Sequence, residues 1–226
     1  MKKRLLSLIM AVMMVVVLVA PAAAATTDTT SGGTVTVYVT YGMFTEGGYD
    51  TAKKAPAKQA YNSDAAPTSD KINANFYINA YTLSINTIKT DYMATTQGLY
   101  GVPDTSVSYF KSPNLVDAIL AAFFENGIDI TDPNVVSAGW DDHPVRGNPG
   151  GYINYVAPQY PVYNDTTKET MDGVQYNVYS GEGWNIACGT SASNIKALDA
   201  YGTSTALEDG MIIVFDFSPY RIYDVL

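Results

Sequence analysis

The chain has 226 residues, 47% of them hydrophobic, and a formal net charge of −9 at pH 7. This length and apolar content suffice for one sizeable hydrophobic core or two small ones. The acidic balance opposes binding to phosphate backbones, which argues against a nucleic-acid partner, and the single cysteine excludes an internal disulfide.

The first 25 residues have the pattern of a secretory signal peptide. Residues 2–4 form a basic head, residues 5–20 an apolar body, and residues 22–25 a run of alanines. An uncleaved membrane anchor is the alternative, because the apolar body is close to the shortest length that spans a bilayer. The alanine run favours cleavage before Thr26, which removes three cations and moves the net charge to −12. We expect a secreted extracellular protein, free or associated with the cell wall, with no membrane span after cleavage.

The next segment predicts strands separated by a long loop. Apolar and polar residues alternate from Thr34 to Thr40, which is typical of a half-buried strand. Gly47 to Lys71 is rich in Ala, Lys, Pro, Ser and Asp and has no apolar period, so we predict a flexible or loop insertion there. A second strand is predicted across Thr82 to Thr90, and VPDTSVSYF, residues 102–110, predicts a short strand that leads into a helix.

One main helix is predicted from Ser112 to Asn126. Ser112 is a suitable N-cap, and Pro113 fits the first turn, where its missing N–H costs nothing. Asn126 and Gly127 provide a left-handed stop. The apolar residues that fall on one helical face are Leu115, Val116, Ile119, Leu120 and Phe123. A helix with this face should lie across an apolar surface, most simply that of a β-sheet.

The C-terminal half predicts turns first and regular strands afterwards. Residues 156–175 are dense in turn-forming residues, and we predict an insertion made of hairpins and loops. A strand is expected through GWNIACG, residues 183–189, followed by a loop that ends in an Asp209-Gly210 turn. In the last predicted strand, residues 211–217, the side chains of Met211, Ile213, Phe215 and Phe217 share one face.

The sequence lacks the groups that catalysis or a metal site would require. A structural zinc site needs four Cys or His ligands, and the chain has one of each. Asp141, Asp142 and His143 form a cluster, but Asp-Asp before His-Pro is ordinary turn chemistry. Cys188 lies in an apolar run, where a thiol is a small buried hydrophobe, and there is no G-x-S-x-G elbow. We expect no catalytic residues, no metal and no cofactor.

Aromatic residues are abundant, with 18 tyrosines and 2 tryptophans. Such residues beside glycine and asparagine are typical of surfaces that bind sugars or amphipathic ligands. The candidate ligand-binding residues are Trp140, Tyr152, Asn154, Tyr155, Trp184 and Asn185. The alternative is that tyrosines suit the half-buried faces of sheets. Under this alternative Trp184 is part of a core. Under the first interpretation it is the floor of a ligand site.

The C-terminal pattern resembles the transcobalamin C-terminal-like domain, a β-grasp-type module of animal cobalamin carriers and of many exported Gram-positive proteins. The residues that match the family pattern are Gly183 and Trp184 in its glycine–tryptophan strand, Leu207, Asp209 and Gly210 in the following turn, and Met211 to Phe217 in its last strand. Ile186 to Gly189 depart from the family's Tyr-x-Val-Asn-Gly. The order of the earlier predicted strands and helix agrees with the family.

The resemblance implies a fold and a class of function. We expect residues 26–226 to form a single α+β domain, with a β-grasp-like mixed or mostly antiparallel sheet, one main helix across it and long loop insertions. The implied function is a secreted, non-catalytic ligand-binding or adaptor module for a corrinoid or another amphipathic small molecule. Two alternatives remain open on the same aromatic residues: a module that binds cell-surface carbohydrate, and one for interaction or adhesion with other surface proteins.

Overall fold

A computed structural model of the chain describes residues 32–62, 80–102, 112–141, 150–198 and 201–226. The strands are β1 Thr34–Tyr41, β2 Gly48–Asp50, β3 Ala55–Ala57, β4 Tyr81–Ser84, β5 Val136–Asp141, β6 Gly150–Val156, β7 Val162–Tyr163, β8 Thr167–Met171, β9 Val174–Gly189, β10 Lys196–Ala197 and β11 Met211–Val225. The helices are α1 Ile85–Thr87, a π-helical turn Ile88–Tyr92, α2 Met93–Tyr100 and α3 Leu115–Glu125, with 3-10 turns at Ala192–Asn194 and Gly202–Ser204. The predicted signal peptide and most of the strand predicted at 102–110 lie outside the described residues.

The central sheet is mixed. Its strands follow the order β10-β9-β11-β1-β4. The short strands β7 and β8 also pair with β9, on the side away from β11. The first and last strands, β1 and β11, are parallel neighbours in the middle, and every other pair in this sheet is antiparallel. The expected α+β class with one main helix is therefore confirmed.

The two strands β9 and β11 form a long ribbon that continues past the rest of the sheet. They pair without interruption from Ile212 opposite Gly189 to Val225 opposite Tyr176, whereas β1 accompanies β11 only as far as Phe217. We call residues 184–189 with 211–217 the inner half of the ribbon, and residues 174–183 with 218–225 its outer half. Both strands are longer than the sequence predicted, because the pairing persists where the apolar alternation weakens.

One face of the sheet packs against α3 and forms the main core. Val35, Val37 and Val39 of β1 point to this side and are almost fully buried, as are Ile213 and Phe215 of β11. These buried residues confirm the alternation predicted for both strands. Burial of a large apolar side chain contributes about 1.5–3 kcal/mol, so this face holds most of the apolar stabilisation.

The opposite face of the sheet is covered by the segment that follows β1. Met43, Phe44 and Tyr61 pack against Val214 and Ala187 in a second, smaller cluster. Residues 47–62 of the predicted loop insertion contain the β2–β3 hairpin, and residues 63–71 lie outside the described residues. The sheet is therefore covered on both faces along its inner half.

The helix α3 is buried around its whole circumference, not on one face alone. Every residue from Leu115 to Phe123 is buried, because the sheet lies on one side while α2 and the β5–β6 hairpin lie on the other. The predicted N-cap, Ser112, is wrong. Asn114 caps the helix, since its side chain accepts the backbone N–H groups of Val116 and Asp117, at 2.9 and 3.2 Å.

The second predicted strand is only partly correct. β4 ends at Ser84, and the chain turns into α1 at Ile85, so the strand does not continue to Thr90. Ser84 has extended backbone angles, and its hydroxyl accepts the N–H of Thr87 at 3.4 Å, as an N-cap does. The Asp209-Gly210 turn is confirmed: Gly210 has a φ of 74°, and its N–H donates to the carbonyl of Thr34 at 2.8 Å.

Candidate ligand-binding surface

The β5–β6 hairpin turns one face to the main core and the other outward. Val136, Ile153 and Val156 are buried in the core, whereas Tyr152 is 39% exposed. The Tyr152 ring folds across Gly139 on the neighbouring strand, where an added Cβ would lie 3.1 Å from the tyrosine hydroxyl. A glycine opposite the tyrosine thus lets the ring lie flat along the outer face of the hairpin.

A β-bulge brings more side chains to that outer face. Ser137 pairs with Tyr155 and Ala138 pairs with Ile153, so Asn154 is the extra residue. A bulge re-aims the side chains beside it. Ile153 and Val156 both face the core although they are three residues apart, and Asn154 and Tyr155 between them are half-buried on the outer side.

A fourth residue extends this surface. The rings of Tyr155 and Tyr160 have centroids 4.9 Å apart, and Tyr160 is 50% exposed. The hydroxyl of Tyr155 donates to the carbonyl of Pro133, which fixes the position of its ring. We call Tyr152, Asn154, Tyr155 and Tyr160 the tyrosine platform. Three of its members were predicted from the sequence; Tyr160 was not, although its place in the run APQYPVY, between two prolines, indicates an exposed turn.

Two predicted site residues on β9, Trp184 and Asn185, do not join the platform. Trp184 lies on β9 and stacks on Phe215, with ring centroids 4.3 Å apart and planes within 2° of each other; it also meets the edge of Phe217. Asn185 faces the opposite side of the sheet, as consecutive residues of a strand do. It pairs with Asp216, and its side-chain amide donates to the carbonyl of Gly183 at 3.1 Å.

Trp140 also packs inward. It lies on β5 opposite Gly151, whose position faces Tyr100 in the core, and the tryptophan is half-buried against the main core cluster. Both tryptophans therefore contact the main core. The structure brings Tyr152, Asn154 and Tyr155 together on one outer face and leaves Trp140, Trp184 and Asn185 elsewhere.

The thiol of Cys188 is half-buried and packs against the main core. Burial, aided by the negative charge of Glu208, raises the pKa of this thiol, which disfavours the reactive thiolate. His143 and Asp142 lie outside the described residues. Within the described ranges, no group of three or more His, Cys, Asp or Glu side chains is arranged to hold a metal ion.

Two fully buried carboxyl groups lie in hydrogen-bonded networks. Asp117 accepts bonds from the hydroxyls of Thr96 and Tyr100, at 2.5 and 3.1 Å, and from the N–H of Asn114 at 3.0 Å. The bond from the Asn114 N–H closes a capping box at the start of α3. Loss of hydration raises the pKa of Asp117 in spite of these hydrogen bonds.

The second buried carboxyl, Asp216, joins β11 to β1 and to the segment after it. It accepts the hydroxyl of Thr40 at 2.5 Å, the N–H of Met43 at 3.1 Å and the hydroxyl of Ser218. Burial raises the pKa of this group as well. Both carboxyl groups are enclosed and engaged with protein donors, so we assign them to the stability of the fold.

Comparison with known proteins adds no relative: no protein-family model, curated protein or solved structure matches the chain. In the part of the chain that the structure describes, no helix is long and apolar enough to cross a membrane.

Proposed function

We propose that this protein is a non-catalytic binding module that holds a glycan on the tyrosine platform. The observation that carries the proposal is the outer face of the β5–β6 hairpin, where Tyr152 and Tyr160 are exposed and Tyr155 packs beside Tyr160, next to the bulge at Asn154. Tyrosine rings offer apolar faces and polar hydroxyls at low entropic cost, and an asparagine beside them can both donate to and accept from hydroxyl groups. An open aromatic surface of this kind suits the apolar face of a sugar ring.

A corrinoid is the second candidate ligand, and the observation behind it is the match of Gly183 and Trp184 to the transcobalamin-like pattern. The stacking of Trp184 on Phe215 and Phe217 uses much of its ring within the protein. Two rings of the platform, by contrast, are exposed: Tyr152 at 39% and Tyr160 at 50%. The geometry therefore supports a glycan better than a corrinoid.

Affinity electrophoresis of the chain without residues 1–25, in gels that contain a panel of cell-wall and storage glycans, tests the proposal. We expect retardation by at least one glycan, and loss of retardation in Tyr152→Ala and Tyr160→Ala. Tyr179→Ala is the matched control, because Tyr179 is as exposed as Tyr152, at 39%, but lies on the outer half of the ribbon.

Co-elution and tryptophan quenching with cobinamide test the corrinoid candidate in parallel. Binding of cobinamide without retardation by any glycan would replace the glycan by a corrinoid. Failure of both ligand classes would overturn the binding proposal and leave the adhesion alternative, in which the same surface contacts other surface proteins.

We further propose that the central sheet is β-grasp-like. The parallel pairing of β1 with β11 in the middle of the sheet supports this assignment, as do the antiparallel β4 at its edge and the crossing of one face by α3. Nuclear Overhauser contacts between the backbones of Val37 and Ile213, which are register partners, would test it. Antiparallel contacts between these strands would contradict it.

We also propose that residues 1–25 direct export and are cleaved, so that the binding module acts outside the cell, free or at the wall. The basic head, apolar body and alanine run support this proposal. N-terminal sequencing of the protein recovered from culture medium and from the wall fraction should begin at Thr26. An intact N-terminus in the membrane fraction would favour the anchor alternative.

A further inference from the structure

A second concave surface lies beside the outer half of the ribbon. It is a cleft of about 420 Å³ whose lining includes Glu46, Val162, Asn164, Ser180, Glu182 and Arg221. These residues come from three separate parts of the chain: the segment before β2, the β7 region, and the β9–β11 ribbon. None of them was singled out by sequence reasoning, because their proximity depends on strand pairing over long separations.

Backbone hydrogen bonds hold these parts of the chain together. The N–H of Asn164 donates to the carbonyl of Ser180 at 3.0 Å, and the Asn164 amide donates to the Ser180 hydroxyl at 3.1 Å. The N–H of Arg221 donates to the carbonyl of Glu46 at 2.6 Å. Two sides of the cleft are thus fixed to adjacent strands of the ribbon.

A glycine allows the close approach of β7 to β9. An added Cβ at Gly181 would lie 1.8 Å from the carbonyl oxygen of Val162, which no side chain can tolerate. Gly181 is therefore required where β7 forms one wall of the cleft. Gly181 thus has a structural role, because it permits the strand pairing that forms this concave surface.

The chemistry of the lining favours an uncharged ligand with many hydroxyl groups. Arg221 is already engaged, because its Nε donates to the Tyr223 hydroxyl at 2.8 Å and its Nη2 pairs with Glu169. The carboxylates of Glu46 and Glu182 add negative charge, which opposes phosphates and other anions. Carboxylate acceptors beside the amide of Asn164 and the hydroxyl of Ser180 offer both partners that a sugar hydroxyl needs.

The cleft is continuous along the chain with the tyrosine platform. Tyr160 belongs to the platform and Asn164 to the cleft, and β7 lies between them. Four residues at an extended rise of roughly 3.3 Å each separate the two positions by at most about 13 Å. Tyr160 and Asn164 are therefore separated by less than the length of a long oligosaccharide.

We propose that the cleft is a second subsite for uncharged oligosaccharides, which extends the binding of glycans beyond the tyrosine platform. The identity of the ligand class rests on the function proposed above, but the cleft has its own residues and its own readouts. Long oligomers should occupy both surfaces, and short oligomers should occupy one at a time.

The test is a titration of the ¹⁵N-labelled chain without residues 1–25 with short and long oligomers of glucose and of N-acetylglucosamine. Shifts of the Asn164 side-chain amide and the Glu182 backbone amide report on the cleft, and shifts of Asn154 and Tyr155 report on the platform. We expect long oligomers to bind roughly tenfold more tightly than short ones, as one or two added hydrogen bonds would give. Glu182→Gln and Asn164→Ala should remove that gain.

Asp224→Asn is the matched control for Glu182→Gln, because it makes the same change of charge on the opposite face of the outer half. It should keep the full gain with oligomer length, and the spectra themselves report that each variant is folded. A gain that survives both cleft substitutions would overturn the inference.

The two proposals fail in different ways. Platform shifts without cleft shifts would overturn the second subsite and leave the proposed function intact. Cleft shifts without platform shifts would support the subsite and contradict the proposed role of the platform. The absence of chemical-shift changes at both surfaces with every oligomer would contradict both proposals.

Discussion

The inner and outer halves of the β9–β11 ribbon have the same backbone pairing but very different surroundings. In the inner half, Ile213, Phe215 and Phe217 are at most 1% exposed, whereas in the outer half Ile222 is 41% exposed and Tyr179 39%. The hydrogen-bonded register runs through both without a break. Covering layers, and not strand pairing, make the difference. Both faces of the inner half are covered, whereas the outer half buries Tyr176 and Val178 on one face and leaves the other exposed.

This difference separates the stabilising half of the ribbon from the half that borders a proposed binding site. The inner half lies between α3 on one face and the Met43–Tyr61 segment on the other. The outer half is flanked by β7 and β8 and borders the proposed glycan cleft. Substitutions of the buried inner-half rings should therefore destabilise the protein strongly, and substitutions of exposed outer-half residues, such as Ile222 and Tyr179, should cost little.

The largest expected effect is that of Phe215→Ala. The ring of Phe215 is buried against Phe123 and Trp184, and its removal leaves a cavity that should cost about 3–5 kcal/mol. Ile222→Ala, seven residues further along the same strand, should cost only about 0.5 kcal/mol because the side chain is partly exposed. Urea denaturation measures both free energies of unfolding, and equal losses would contradict the division of the ribbon.

Next comes Asp216→Asn, which changes a buried group of the inner half. The substitution places an amide N–H among hydrogen-bond donors from Thr40, Met43 and Ser218, so we expect a loss of about 1–3 kcal/mol. The pH dependence of stability should change as well, for a reason that follows from the direction of the pKa shift.

Burial raises the pKa of Asp216 in the folded state above its unfolded value. The folded protein then keeps a proton that the unfolded chain has already released. The contribution of Asp216 to the free energy of unfolding is complete below the unfolded-state pKa, about 3.9. It is lost as the pH rises through the folded-state pKa. Asp117 has a shift in the same direction. Each single substitution to Asn should weaken the fall of stability with rising pH, and the double variant should weaken it most; an unchanged slope in the double variant would refute this account.

A smaller loss of stability is expected for substitution of Gly181. Gly181→Ala should push β7 away from β9 and cost about 1 kcal/mol, at the low end for overpacking because only a two-residue strand must move. Hydrogen exchange of the Asn164 amide should become faster. Gly183→Ala is the matched control, since its Cβ would meet only the Tyr220 ring at an ordinary 3.7 Å. Similar exchange in both variants would show that β7 does not depend on Gly181.

The smallest effect concerns the ion pair of the outer half. Arg221 pairs with Glu169 where both side chains retain solvent exposure, so Glu169→Gln should lower the free energy of unfolding by less than about 1 kcal/mol. The loss should shrink further in high salt, because screening weakens such pairs. A cost comparable to that of Phe215→Ala would mean that the outer half is as important to stability as the inner half.

Sequence reasoning succeeded where one local pattern governs the structure and failed where two patterns compete. The alternation at Thr34–Thr40 and Met211–Phe217 predicted β1 and the inner half of β11. The same reasoning extended a strand through Ile85, where Ser84 instead caps a helix. Ser112 and Asn114 are both acceptable N-caps by residue type; Asn114 prevails because the Asp117 carboxyl and the Tyr100 hydroxyl engage it in the core.

The candidate site shows the same limit. Tyr152, Asn154 and Tyr155 were nominated because they lie in or beside glycine-rich loops, and only the bulge at Asn154 explains why they share one face. Trp184 and Asn185 were grouped with them by residue type beside glycines, although adjacent residues of a strand point in opposite directions. Tyr160 and the cleft residues come together through contacts that no local pattern specifies.

The sequence by itself determined the α+β class, the main helix and the central strands. Local periodicity is enough for these features, because it records which residues of one element share a face. The tertiary structure alone decided that Trp184 packs on Phe215 and that β7 meets Gly181. It also decided that the ribbon is covered on both faces along its inner half but leaves one face exposed along its outer half. These outcomes depend on which element covers which face, and that is set by packing between residues far apart in the chain.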